Sequence, residues 1–188
     1  EFGKNYEKDE KISSTGYRGI RRSIVEKNIL IPVLMAIKKL VSEGYKNIGL
    51  FPPMVNSISE YKKWLEIIKR YKLQDIRKGI MIETPRSAIM VDEFLEYIDF
   101  IIFGTNDLTS FLLAVHRNNL NLRHMFDEKD KVVQKIISDV IKKSKQKKIK
   151  TYLSGSLTEN KNILGKFLND GLTGVTINPD ISSINKVK

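Results

Sequence analysis

A parallel α/β fold is predicted by three features of the chain. Short apolar runs suited to strands alternate with helix-period segments along most of its 188 residues, and such alternation pairs strands in parallel through helical crossovers. The stretch Ile80–Leu108, IMIETPRSAIMVDEFLEYIDFIIFGTNDL, holds one unit complete: strands Ile80–Ile82 and Phe100–Phe103 bracket an amphipathic helix. Glu83, Asn106 with Asp107, Ser154 and Asn178 each follow the end of a different predicted strand, where side chains of a parallel sheet or barrel converge on one rim. An open doubly wound sheet and a TIM-type barrel both satisfy the alternation. An eight-stranded barrel takes about 250 residues, so a barrel here lacks its first strands.

Residues 1–15 are polar and without period, a tail or the start of a fragment, and residues 16–188 form the domain. Gly16-Tyr17-Arg18-Gly19-Ile20-Arg21-Arg22 is a glycine-flanked turn that presents arginines and is the place for a sixth strand beside five clear ones. Apolar spacing predicts a helix over Ile29–Glu43, ending near Gly44, then a strand over Asn47–Phe51. Pro52-Pro53 bars a helix, and Ser57 and Ser59 stand ahead of Glu60 as caps for a helix over Ser59–Tyr71, with Trp64, Leu65, Ile67 and Ile68 inward. A strand starts after Gly79; Pro85 opens a helix reaching about Tyr97, at a position where its missing N–H costs little. Beyond Asp107 a helix carries Leu108, Phe111, Leu112 and Val115 into the polar segment His116–Asn119. Lys129–Gln146 has Val132, Val133, Ile136, Ile137, Val140 and Ile141 on one helical face. Strand Ile149–Leu153, helix Lys161–Asn169 stopped at Gly171, and strand Gly174–Ile177 with Asn178-Pro179-Asp180 complete the order.

Composition sets bounds. At 41% hydrophobic the chain can bury a substantial core as one domain. No apolar run approaches the roughly 18 residues of a membrane span, and EFGKNYEKDE is not a signal peptide. With no cysteine there are no disulfides or thiolate metal sites, which fits a cytoplasmic protein. The net charge of +11 raises nucleic acid as a partner. The lysines are spread over several helices, however, and the densest run, Lys142–Lys150, sits at a helix end where cations suit the dipole. A phosphate- or carboxylate-bearing metabolite fits the charge equally well.

Glu83 and Asp107 are hard oxygen donors suited to Mg²⁺ or Mn²⁺, which need one or two carboxylates and leave other positions to substrate and water. Their plainer roles are as caps, Glu83 for the helix after Pro85 and Asp107 for the helix begun by Leu108. Gly104-Thr105-Asn106-Asp107 is a compact turn whose N–H groups, beside a helix start, can hold an anionic oxygen. Arg18 and Arg117 offer planar forks for phosphate or carboxylate. His116 and His124 have no nucleophile motif beside them and read as exposed helix-end residues. Trp64, Phe94, Tyr97 and Phe111 sit at core spacings.

GYRGIRR at 16–22, LFPPMVNSISE at 50–60, GIMIETPRSAIMVDEF at 79–94, FGTNDLT at 103–109, AVHRNN at 114–119 and GVTINPD at 174–180, in this order and at natural spacings, resemble the C-terminal barrel of the phosphoenolpyruvate-utilising enzymes. FDEKD at 126–130 and the NPD ending are most similar to the phosphoenolpyruvate synthase branch, while LFPPMVNS and LAVHRNN also resemble enzyme I of the sugar phosphotransferase system. The resemblance implies a (β/α)₈ TIM-type barrel, here incomplete with about six of eight units, that binds pyruvate or phosphoenolpyruvate on Mg²⁺ or Mn²⁺. It makes Glu83 and Asp107 the metal ligands, and Thr105, Asn106, Asp107, Arg117 and Arg18 substrate contacts. It implies phosphoryl transfer between a phosphohistidine and pyruvate, with phosphohistidine and nucleotide-binding domains outside these residues and a homo-oligomeric assembly. In the position of the family's cysteine, which handles the proton at C3 of the enolpyruvate, stands Ser154 in Tyr152-Leu153-Ser154-Gly155-Ser156. A hydroxyl titrates far above a thiol, which lies near pH 8.5, so Ser154 is a much poorer acid or base. A catalytically impaired homologue serving as ligand sensor or scaffold is the alternative reading.

Overall fold

The computed structural model describes residues 15–176. The expected N-terminal tail, save Thr15, and Ile177 with Asn178-Pro179-Asp180 lie outside the described residues. Five strands, β1 (Gly49–Leu50), β2 (Arg77–Ile82), β3 (Phe100–Gly104), β4 (Lys150–Ser154) and β5 (Gly174–Val175), form one sheet in chain order. Every neighbouring pair is parallel. A doubly wound sheet reverses its strand order at a switch point; this order never reverses, which is the pattern of a TIM-type barrel arc. The expectation of an incomplete α/β barrel stands on that order, with five strands described.

The sixth strand placed at the glycine-flanked turn is instead a helix, α1 (Gly19–Val25). The Ile20 N–H donates to the Pro53 carbonyl at 2.9 Å and its side chain is fully buried, so the segment docks on the loop after β1 rather than extending the sheet. Helix α2 (Lys27–Ser42) follows, then α3 (Ile58–Arg70) between β1 and β2. The cap of α3 is Ser57: its hydroxyl accepts from the Glu60 N–H, and Glu60 Oε2 accepts from the Ser57 N–H at 3.0 Å. This capping box satisfies two donors at once. Burial alone would raise the Glu60 pKa, but the Arg21 guanidinium, 2.8 Å away, and the two backbone donors outweigh it and hold the carboxyl below its usual range.

Strand β2 begins earlier than expected because Arg77 and Lys78 pair with Gly49 and Leu50. The helix after Pro85 is short, α4 (Pro85–Ile89), and tightens at Met90 into a 3₁₀ turn over Val91–Glu93. That turn still delivers Val91, Phe94, Leu95 and Ile98 to the core. Helix α5 (Thr105–Leu113) starts directly on β3 and ends at Ala114 in the left-handed conformation. Helices α6 (Lys131–Gln146) and α7 (Lys161–Asp170) flank β4.

The core lies between the sheet's outer face and the helices. Ile80, Ile82, Ile101, Phe103 and Leu153 meet Val133, Ile137, Val140 and Ile141 of α6 and Tyr61, Trp64 and Ile68 of α3. Tyr61 stacks on Trp64 with centroids 5.6 Å apart and donates its hydroxyl to the Gly79 carbonyl at 3.2 Å. Burial pushes the Tyr61 phenol above its ordinary pKa, with Asp99 adding to the shift. Tyr97, expected in the core, is 37% exposed and carries Lys62 Nζ 4.7 Å from its ring centroid. On the concave side Phe51, Phe100, Ile102 and Tyr152 line a 500 Å³ hollow.

Candidate functional site

Registration of the sheet sets three strand ends in a row: Ile82 pairs with Phe103, and Gly104 pairs with Ser154. Adjacent strands lie about 4.8 Å apart, so Glu83, the start of α5 and Ser154 are neighbours on the carboxyl rim although 71 residues of sequence separate the first from the last.

Neither carboxylate is used as a cap. The cap of α4 is Thr84, whose hydroxyl accepts from the Ser87 N–H at 3.3 Å. The cap of α5 is Gly104, and Thr105-Asn106-Asp107 is the first helical turn rather than a loop. Glu83 is 4% exposed and accepts from the Met54 N–H at 2.5 Å. Burial, and then the Asp107 carboxylate facing it, raise its pKa to about 7, against the opposing pull of the Met54 N–H and Arg18. A side chain on Gly104 would sit 2.9 Å from Glu83 Oε2; only glycine lets the carboxylate lie this close to the helix start. Arg18 Nη2 is 3.7 Å from Asp107 Oδ2, with both side chains about a quarter exposed. Two cavities, of 310 and 210 Å³, meet at Arg18 and Met54, the first lined also by Glu83 and Arg22 and the second by Thr84 and Phe111.

The other expected residues gather on the far side of the α5 turn. Thr105 is fully buried, and its hydroxyl donates toward Glu128 and reaches the Ser154 carbonyl at 3.0 Å. With its amide nitrogen turned to Glu128, Asn106 donates to Oε1 at 2.9 Å, and its oxygen accepts from Arg117 Nη1 at 2.8 Å. Arg117, in an exposed loop, is thereby brought to the site. His116 and His124 are exposed. Among the described residues no group of three or more His, Cys, Asp or Glu converges. Glu83 and Asp107 face one another, and two facing carboxylates, one of them buried, are a donor chemistry that fits a divalent ion.

The family model described as PEP-utilising enzyme, PEP-binding domain, matches residues 4–188. The chain belongs to the PEP-utilising enzyme family. The chain is 38% identical over 168 residues to the probable phosphoenolpyruvate synthase of Archaeoglobus fulgidus, covering 88% of the chain and 22% of that relative. It is 34% identical to the phosphoenolpyruvate synthase of Pyrococcus furiosus, over 93% of the chain and 22% of the relative. It is 33% identical to the phosphoenolpyruvate-protein phosphotransferase of Buchnera aphidicola, over 92% of the chain and 31% of the relative. The chain thus spans less than a third of the length of these curated relatives. No helix among the described residues is long and apolar enough to cross a membrane.

Sequence reasoning singled out neither Glu128 nor Ser156, whose hydroxyl donates to Glu128 Oε2. Glu128 lies within FDEKD, which carries the resemblance, but in an irregular stretch where no period tells its role from that of Asp127 or Asp130. Its burial, at 9% exposure, arises only when three separate segments close on it.

Proposed function

We propose that this domain binds pyruvate and phosphoenolpyruvate at the carboxyl rim of its sheet, with Mg²⁺ or Mn²⁺ held between Glu83 and Asp107. It would serve as the pyruvate-binding part of a phosphoenolpyruvate synthase-like phosphotransferase, whose phosphohistidine and nucleotide-binding domains act on it as partners. The observation that carries this reading is the juxtaposition of two carboxylates at adjacent strand ends, neither of them spent on a helix cap. A divalent ion there supplies Lewis-acid stabilisation of charge on substrate oxygens. Arg18, 3.7 Å from Asp107 Oδ2, would bring a guanidinium to the mouth for a carboxylate or phosphoryl group. Arg117, fixed through Asn106, supplies a second fork, and the N–H groups opening the nine-residue α5 face the same rim. Such preorganised charge is where most of phosphoryl-transfer catalysis resides. Oxalate, which copies the two adjacent oxygens of the enolpyruvate, tests the reading by titration calorimetry. Saturable binding is expected with Mg²⁺ or Mn²⁺ and not without; binding that is absent, or indifferent to the ion, would overturn it.

The second reading, a catalytically impaired homologue acting as sensor or scaffold, is favoured by Ser154. It alternates with core-facing Leu153 on β4 and so faces the concave side. Among the described residues no base is hydrogen-bonded to its hydroxyl. Proton NMR of pyruvate in heavy water with Mg²⁺ separates the two. A turnover-competent site exchanges the methyl protons faster than buffer and loses this in Ser154→Ala, whereas an impaired one exchanges only as Ser154→Cys.

A further inference from the structure

Glu128 lies between α5 and α6, outside every strand and helix, yet is buried to 9% exposure. An ionised side chain is seldom kept there unless donors surround it. Three do: Thr105 Oγ1 and Asn106 Nδ2 on Oε1, and Ser156 Oγ on Oε2. These donors come from two strand ends, the first turn of α5 after β3 and the turn after β4. A carboxylate only accepts hydrogen bonds. It therefore imposes a polarity on Asn106, whose NH₂ must face Glu128 and whose oxygen must face Arg117 Nη1. Behind this chain the Gly155 backbone, at φ +99°, is pressed so close that an added Cβ would meet Thr105 Oγ1 at 2.3 Å and Glu128 Oε1 at 3.5 Å. If burial alone were needed, an apolar side chain of similar volume would serve as well or better.

We propose that Glu128 is a positioning residue. Through Asn106 it sets the direction of the Arg117 guanidinium, and through Thr105 and Ser156 it holds the Ser154 turn against the start of α5. The inference deepens the functional reading above and rests on it, since it assigns to Glu128 the geometry of the side chains that would meet the substrate while leaving the ion to Glu83 and Asp107.

The test compares the full chain with Glu128→Ala and Glu128→Gln. Glutamine keeps one acceptor for Thr105 and Asn106, and its NH₂ can donate to the Ser156 hydroxyl, so it rescues the arrangement; alanine removes all three contacts. With saturating Mg²⁺, Glu128→Ala is expected to weaken oxalate binding about ten- to hundredfold, the usual effect of losing an orienting partner. Glu128→Gln is expected to stay within about threefold of the wild type, the change being electrostatic and not steric. Mn²⁺ affinity without oxalate, read by electron paramagnetic resonance, should be the same in all three. The Asn106 side-chain amide, identified in ¹⁵N NMR by its loss in Asn106→Ala, should exchange slowly with solvent in the wild type and in Glu128→Gln and rapidly in Glu128→Ala. Should Glu128→Ala not fold, Glu128→Asp, one methylene too short to reach all three donors, is expected to show the same split. Oxalate affinity unchanged by Glu128→Ala, an unaltered Asn106 amide, or a parallel fall of Mn²⁺ and oxalate affinity with melting temperature would each overturn the proposal. If the wild type itself fails to bind oxalate, the functional reading falls, and the amide comparison alone still decides whether Glu128 orients Asn106.

Discussion

Glu83→Gln is expected to abolish Mg²⁺-dependent oxalate binding, with an affinity loss of at least about a hundredfold. That exceeds the ten- to hundredfold typical of an outer-shell partner, because a ligand to the ion itself is removed. The same substitution is expected to stabilise the ligand-free chain. Glu83 is buried, accepts from the Met54 N–H and faces the Asp107 carboxylate. Glutamine keeps the acceptor for Met54 and turns an N–H toward Asp107, so above about pH 7, where Glu83 is ionised, one hydrogen bond replaces one like-charge contact. The gain is about 1 kcal/mol, the net worth of such a bond. Opposite signs in calorimetric affinity and thermal melting are the signature of a residue kept for binding at a cost to the fold. Unchanged oxalate affinity, or a lower melting temperature without ligand, would contradict the assignment.

Trp64→Ala is expected to destabilise the domain by about 3–5 kcal/mol, the range for truncating a fully buried indole. For a chain of this size that lowers the melting temperature by on the order of 10 °C. Trp64 is 1% exposed, stacks on Tyr61 with planes 20° apart, and lies in the same cluster as Ile80 and Ile82 of β2. Its removal takes the stacking partner from Tyr61, which keeps its edge-on contact with Phe94 and its hydroxyl contact with Gly79. Chemical denaturation should therefore show a lower midpoint with little change in slope. A loss below about 1 kcal/mol would show that the site is well able to collapse, as the spread of such substitutions allows.

Much of the site was legible because strand ends are legible. Runs such as Ile80–Ile82 and Phe100–Phe103 mark where strands finish, and parallel pairing brings the next polar residues to one rim. Glu83, Asp107 and Ser154 follow from that rule. The choice between caps and free carboxylates did not, since Glu83 and Thr84 both stand ahead of Pro85 and either can cap. Backbone geometry settles it: Thr84 takes the capping position and Glu83 bonds the Met54 N–H, 29 residues away in sequence. The glycine-flanked arginines were compatible with a strand until Ile20 docked on Pro53 and made the segment a helix. Tyr97 shared the spacing of Phe94, but the 3₁₀ turn after α4 rotates the tyrosine out to Lys62.

The amino-acid order by itself determined the alternation of strands and helices, the rim on which polar residues collect and the pair of acids at its centre. These depend on local periodicity and on chain direction, both written in neighbouring residues. Tertiary structure alone decided the singly ordered sheet, the freeing of Glu83 from capping, and the burial of Glu128 beneath Thr105, Asn106 and Ser156. Each of those is a contact between segments far apart in the chain, where no period links the partners and only closure of the fold brings donor to acceptor.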